Sequence, residues 1–440
     1  VKVAVVKKAP AAARSASLRQ QLQICIGKAG HLVGELTYAK DGRREFSSFT
    51  YALEWLASRE RFQVSTDLPL APGHTVRKPP TKDDSCFFLA LADTEPDTWG
   101  RRVIARAHAK ARKENRGLAE LTELDYLCAV DDFSRLGALR LRDGSGSYHA
   151  TVEEGKRATP PLFELEHMLR ASRAVELSKE SAEDLRYLQG KGTSLGGARP
   201  KCSVLDEDGY LTLAKFPSVK DERSVTRGEV LALRLAQLAG IDAAEARIVM
   251  TRGQAVALIR RFDRTSDFGR IAYMSGAALL QAKRNEDHAY TEVVDQMQSF
   301  CREAVADAQQ LWRRLVFNHL ITNVDDHLQN IGFLYDGGGF WRMSPAFDLN
   351  PFPDKDRESK TWLSEDTGPI ESVADLMSRA AYFRLDEVRA KQVLGEVVQA
   401  VDQWRAVAAG AGVGMNSAEI EEFAPAFEHS ELEAAKTLAR

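Results

Sequence analysis

The residues with the most chemical promise lie in one short stretch, Asn323-Val-Asp-Asp-His-Leu-Gln-Asn330, and in an aspartate eighteen positions beyond it, Asp348. Asp325 stands five residues before Asn330, and a Gly-rich turn, Gly337 to Gly339, divides the strand-like segment that leads to Phe347-Asp348. Phosphoryl transfer requires a carboxylate that orients an attacking hydroxyl and takes its proton. It also requires hard oxygen ligands that hold Mg²⁺ against the phosphates. On this reading Asp325 is the base, Asn330 a metal ligand and Asp348 the main metal ligand. The ordinary explanation of an Asp at 325 or 326 is a helix cap. The second Asp, just after a hairpin, favours the chemical reading. His327 has no histidine at i+4 and no cysteine nearby. It therefore reads as a loop brace or phosphate contact rather than a zinc ligand.

Upstream, the twelve residues Gly190 to Lys201 contain four glycines and a proline, so they form a loop. Glycine lets backbone N–H groups close around an anion. Gly196, Gly197, Ala198 and Lys201 are the candidate phosphate cradle, although a surface turn has the same composition. Lys215 ends the strand-like Tyr-Leu-Thr-Leu-Ala-Lys and is placed to meet ATP phosphates. Glu229, near the start of the next helix, is either its ion-pair partner or a surface charge. At Ala-Leu-Ile-Arg-Arg-Phe-Asp-Arg264 a strand leads into the second half of the chain. Its backbone suits adenine, and Asp263 either accepts ribose hydroxyls or simply forms a turn.

These residues need a scaffold, and periodicity supplies one. Leu22 to Tyr38 reads as a β-hairpin, followed by a Pro-rich loop around residues 69–80. Helical spacing begins near Trp99, and Gly137 to Asp143 reads as a strand, so residues 22–142 form a small α+β unit. Residues 160–188 are helical. Two strands, an amphipathic helix ending at Gly240 and two more strands then make a β-rich lobe. Beyond Arg264 the pattern is mainly helical. Hydrophobic residues make up 44% and charged residues 28% of the 440, ordinary for a soluble protein. A net charge of −3 excludes a global electrostatic nucleic-acid binder. No run approaches the ~18 apolar residues of a membrane span. The five scattered cysteines fit reduced thiols in a cytoplasm, and the acid-free basic start reads as a loose tail.

Together the motifs Ser194–Lys201, Arg260–Arg264, Asn323–Asn330 and Ser344–Pro351 resemble the HipA family of bacterial toxin kinases. Phe-Thr-Tyr-Ala-Leu-Glu-Trp-Leu, Leu-Ala-Asp-Thr-Glu-Pro-Asp-Thr-Trp-Gly-Arg-Arg and Asp-Asp-Phe-Ser-Arg-Leu-Gly-Ala-Leu-Arg-Leu extend the resemblance into the amino-terminal part. It implies an α+β, bilobal protein-kinase-like fold, with a small β-rich lobe and a large helical lobe, preceded by an accessory subdomain. The expected boundaries are a tail at 1–20, the accessory subdomain at 21–145, the small lobe at 146–264 and the helical lobe at 265–440. The resemblance further implies ATP and Mg²⁺ and Ser/Thr phosphorylation of a protein such as an aminoacyl-tRNA synthetase. It also implies a small helix-turn-helix antitoxin through which DNA would be contacted. By motif position Asp325 is catalytic, Asn330 and Asp348 bind metal, and Gly196, Gly197, Ala198, Lys201, Lys215, Phe262, Asp263 and His327 bind nucleotide. Ser194 matches a regulatory autophosphorylation site. Arg260 and Gln329 depart from the family pattern without removing a reacting group.

Two other classes share parts of this pattern. A small-molecule kinase of the aminoglycoside-phosphotransferase type has the same Asp–Asn spacing, but the amino-terminal motifs argue against it. A non-catalytic co-repressor bound to a DNA-binding partner has no need of Asp325, Asn330 and Asp348 together.

Overall fold

The computed structural model describes residues 17–81, 83–151, 159–189, 197–283 and 286–440. The amino-terminal strands β1 (Leu18–Ile26), β2 (His31–Asp41), β3 (Arg44–Tyr51), β4 (His74–Arg77) and β5 (Leu139–Arg142) form a sheet in the order β4-β3-β2-β1-β5. β1 starts at Leu18, opposite Lys40. The last residues of the expected tail, Leu18 to Gln20, are therefore sheet, because ladder pairing with β2 fixes them. Residues 1–16 lie outside the described part.

A second antiparallel sheet carries the nucleotide-side residues. Its strands are β6 (Lys201–Leu205), β7 (Leu211–Lys215), β8 (Ala246–Thr251) and β9 (Gln254–Arg260), ordered β6-β7-β9-β8. Period-two alternation sorts its side chains onto two faces. Cys202, Val204, Ala214, Val256 and Leu258 pack with Leu165, Met168 and Leu169 of the helix Leu165–Glu176. Leu213, Ala257 and Ile259 join the main core with Val230, Leu231 and Leu233 of the helix Val225–Leu238. Lys201 and Lys215 are register partners on β6 and β7. Lys215 stands two residues from Leu213 and Lys201 two from Ser203, so alternation keeps both lysines off the Cys202–Val204 face.

The third sheet, β10 (Tyr273–Ser275), β11 (Gly332–Gly337) and β12 (Phe340–Met343), includes the hairpin before Asp348. The helix Ala304–Leu320 buries Ala308, Leu311, Trp312, Leu315, Val316 and Phe317, a broad apolar stripe with near-helical spacing. It delivers the chain to the 323–330 loop.

The amino-terminal unit packs against both halves of the rest. Trp99 and Val103 of the helix Thr98–Glu114 pack with Ala171, Val175, Leu185 and Leu188. Phe62 stacks on Tyr335 with ring centroids 3.7 Å apart. The Asp93 carboxylate accepts the Ser275 N–H at 2.7 Å and its hydroxyl at 2.8 Å. Burial pushes the Asp93 carboxyl up to about 6 despite those donors. The five cysteines form no disulfide, and no described helix is long and apolar enough to cross a membrane.

Candidate active site

Where the three parts meet there is a cleft of about 1220 Å³, lined by Gly197, Lys215, Glu229, Phe262, Asp263, Asp325, His327, Asn330 and Asp348 among others. Its floor is an ion-pair chain. Lys215 Nζ donates to Glu229 at 2.6 Å and to Asp348 Oδ1 at 2.8 Å. Glu229 is therefore the partner of Lys215 and not a surface charge, being only 3% exposed. Burial would lower the Lys215 ammonium, but Asp348 and Glu229 together hold it above the usual lysine range. Burial would likewise raise the Asp348 carboxyl, yet Lys215, with Lys201 and Asn350, keeps it well below the usual carboxylate range. Asp348 is thus a persistent anion.

Asp348 also has φ +54°, a left-handed conformation that Asp tolerates better than most residues. Asn350 secures it: its amide donates to Asp348 at 3.1 Å, and its backbone N–H donates to Asn323 Oδ1 at 3.3 Å. Those bonds join Asp348 to the start of the 323–330 loop. Thr322 at the loop entrance has φ +52°, and its hydroxyl donates to the Ala426 carbonyl at 2.9 Å. A β-branched residue with positive φ is a genuine outlier, and such strain concentrates at functional sites.

The two adjacent aspartates face opposite environments. Asp325 has a 39% exposed side chain in the cleft, whereas Asp326 is buried. Asp326 accepts the Tyr290 hydroxyl at 2.6 Å and the Lys360 N–H at 2.7 Å. Burial raises the Asp326 carboxyl, and its role is to brace the loop from behind. Asn330 Nδ2 donates to the Asp325 carbonyl at 2.8 Å, so its amide oxygen is the atom that could serve as a metal ligand. Neither aspartate caps the short 3₁₀ turn Leu328–Asn330, whose first flanking residue is His327. His327 Nε2 lies 3.9 Å from Asp325, and its Nδ1 is buried without a hydrogen-bond partner among the described residues.

Three of the expected nucleotide contacts sit in surroundings of their own. Lys201 does not line the cleft. Its ammonium is buried with the Asp97 carboxylate at 3.0 Å, because the amino-terminal unit brings that carboxylate onto β6. Asp263 is 1% exposed, and its oxygens take Arg261 at 2.7 and 2.6 Å, Arg264 at 2.7 Å and the Gly137 N–H at 2.7 Å. Oδ2 takes three of these donors and Oδ1 one, so Asp263, which also lines the cleft, latches the connector to the amino-terminal unit. Ala198 is exposed and outside the cleft lining. Gly197 does line it, at φ +92°, and an added Cβ would come within 3.0 Å of Lys201 Nζ. Phe262 lies beside Phe347, centroids 5.5 Å apart, on the cleft wall. Ser194 and Gly196 lie outside the described residues. Sequence reading missed Asp97, Asp326 and Lys360. Only Asp326 carried a local signal, its adjacency to Asp325.

No group of three or more His, Cys, Asp or Glu side chains among the described residues could hold a metal ion by itself. Mg²⁺ would bind through one or two protein oxygens and complete its shell with water and phosphates, and Asp348 with the Asn330 amide oxygen would be the hard donors for it. Asp348→Asn is expected to weaken Mg-dependent nucleotide binding about tenfold or more, since a charged ligand becomes neutral. Calorimetry with and without Mg²⁺ checks this, and equal affinities for variant and parent would remove Asp348 from the metal site.

The β-sheet lobe, the Lys215–Glu229 pair, the loop and the hairpin aspartate define a protein-kinase-like fold. Residues 193–405 match the family model for the HipA-like C-terminal domain. A HipA from Shewanella oneidensis, solved in a toxin–antitoxin complex with HipB and operator DNA, has the same fold. It aligns with a TM-score of 0.62 at 17% identity, over 94% of this chain and 96% of that one. A protein of Sinorhizobium fredii named as a candidate kinase, Y4mE, is 24% identical over 73% of this chain and 75% of its own length. A candidate kinase of Haemophilus influenzae is 22% identical over 41% of this chain, and the match spans 60% of that relative.

Proposed function

We propose that the chain is a Mg-ATP-dependent serine/threonine protein kinase and the toxin of a toxin–antitoxin pair. The observation that carries this reading is the Lys215–Glu229–Asp348 ion chain in one cleft with Asp325 and Asn330. Lys215 would meet the nucleotide phosphates, and Asp348 with Asn330 would hold the metal, which supplies charge neutralisation for the transferred group. Asp325 would orient the acceptor hydroxyl and take its proton, while Asp326 keeps the loop in register from behind. Phe262 and the backbone of the connector form the wall for the base.

A protein acceptor is supported over a small molecule by the resemblance of the amino-terminal motifs to HipA proteins, and residues 83–101 of that unit form part of the wall of the 1220 Å³ cleft. The resemblance to HipA proteins supports a helix-turn-helix antitoxin as partner, DNA contact through it, an aminoacyl-tRNA synthetase as target and silencing by phosphorylation at Ser194. The test is incubation with γ-labelled ATP, Mg²⁺ and a bacterial lysate, followed by phosphopeptide mapping. Phosphoserine or phosphothreonine on one or a few proteins is the expected result. Labelling of metabolites alone would sustain the small-molecule reading, and no labelling at all would reject both. Withdrawing Mg²⁺ with EDTA should stop labelling, and its persistence would exclude a metal-dependent transfer.

A further inference from the structure

We propose that Lys360 is a catalytic residue of this site: it contacts the transferred phosphoryl group and neutralises its charge as Asp325 takes up the hydroxyl proton. The proposal rests on the kinase reading above and adds a group to it. Lys360 follows the hairpin aspartate by twelve residues and Asp325 by thirty-five. Its Nζ forms an ion pair with Asp325 Oδ1, and its 58% exposed side chain lines the cleft. The loop 325–330 contains no lysine or arginine, so Lys360 brings an ammonium to the reacting end of the cleft.

The backbone that carries Lys360 is fixed without help from its side chain. The Lys360 N–H donates to Asp326 Oδ1 at 2.7 Å, the Thr361 hydroxyl donates to the Asp326 carbonyl at 2.9 Å, and the Trp362 N–H donates to the His288 carbonyl at 2.9 Å. The buried Asp326 therefore holds two things in one place, the base on its own loop and the lysine on a distant one. A lysine needed only to steady the loop would be redundant beside these three bonds.

Charge movement during transfer gives the ammonium its task. The acceptor hydroxyl forms a bond to the γ-phosphorus, and the bond from that phosphorus to the β–γ bridging oxygen breaks. ADP leaves with that electron pair, and the proton passes to Asp325. Because Lys360 engages Oδ1, Oδ2 is the oxygen available to the hydroxyl. Once protonated, Asp325 no longer attracts a cation. The nearest strong anion is then the transferred group, and the flexible four-carbon stem lets the ammonium follow the charge. A donor that reaches developing charge in the transition state accounts for about 10²–10³ in kcat.

The experiment compares Lys360→Met and Lys360→Arg with the parent chain in three measurements. These are single-turnover transfer from γ-labelled ATP to lysate proteins, Mg-ATP affinity by calorimetry, and affinity for Mg-ADP with aluminium fluoride, a mimic of the transferring phosphoryl group. Lys360→Met should lose about 10²–10³-fold in transfer and lose aluminium fluoride affinity, with Mg-ATP affinity unchanged. Lys360→Arg should recover part of both, because the charge is kept while its position shifts. Unchanged transfer and unchanged aluminium fluoride affinity in Lys360→Met would overturn the proposal while the kinase reading stands. Loss of Mg-ATP affinity in step with transfer would also overturn it, as a merely structural lysine would do that. Absence of transfer by the parent chain itself would instead defeat the kinase reading.

Discussion

Asp325→Asn is expected to lower phosphoryl transfer by about 10²–10⁴-fold while Mg-ATP affinity and the unfolding temperature stay close to those of the parent. Three features make the loss specific to chemistry. The Asp325 side chain faces the cleft, half exposed, so its replacement by an isosteric amide opens no cavity. The loop retains its braces, because the bonds from Tyr290, Lys360 and Thr361 go to Asp326. The Asn330 amide donates to the backbone carbonyl of residue 325, which the substitution leaves in place. What is lost is the carboxylate that accepts the proton and holds the hydroxyl in line. Rapid-quench kinetics beside calorimetry separates the two effects. Transfer within about threefold of the parent would exclude Asp325 as the base, and a parallel loss of ATP affinity would make it a binding residue instead.

The parts of the site that are legible in the sequence are those that local pattern controls. Alternation along Leu211–Lys215 and Gln254–Arg260 defines the lobe's two faces, and the five-residue interval from Asp325 to Asn330 is compact enough to be read directly. The hairpin between Asn330 and Asp348 is announced by Gly337 to Gly339, all three at positive φ. Lys360 and Asp97 are illegible for the opposite reason. They meet Asp325 and Lys201 across 35 and 104 residues of chain, and nothing in their immediate neighbours marks them. The strand β10 is similar: three residues long, it exists as a strand because it pairs with β11. Asp263 is the instructive case. Taken as a strand-end acidic residue it reads as open to a ligand, but Arg261 and Arg264 bracket it in the sequence. An aspartate between two arginines at the edge of an apolar strand has its counter-ions already supplied, and burial of the group as a unit follows from that.

Asp263→Ala is therefore expected to cost stability rather than nucleotide affinity. Arg261 and Arg264 are 7% and 9% exposed, so removal of the carboxylate leaves two guanidiniums buried without their anion. Breaking a buried pair in this way costs ~3–5 kcal/mol. The loss also uncouples parts of the molecule. Asp263 accepts the Gly137 N–H, and the two arginines donate to the carbonyls of Phe133, Ser134, Arg135 and Gly137, all in the amino-terminal unit. The pH dependence has a definite sign. Burial alone would raise the Asp263 carboxyl, but Arg261 and Arg264 hold it well below the usual range. Its contribution is thus complete above the unfolded value of ~3.9 and is lost as pH falls below that toward the folded value. The parent–variant stability difference should be constant from about pH 6 to 8 and shrink progressively below about pH 4. Denaturant unfolding across that range checks it, with the KM for ATP measured well below the unfolding temperature. A variant with unaltered stability and a KM raised about tenfold would restore Asp263 to the ribose site, because a surface-directed carboxylate contributes little to folding but a direct contact shows in KM. The latch predicts the reverse, a weaker fold around an unchanged nucleotide site.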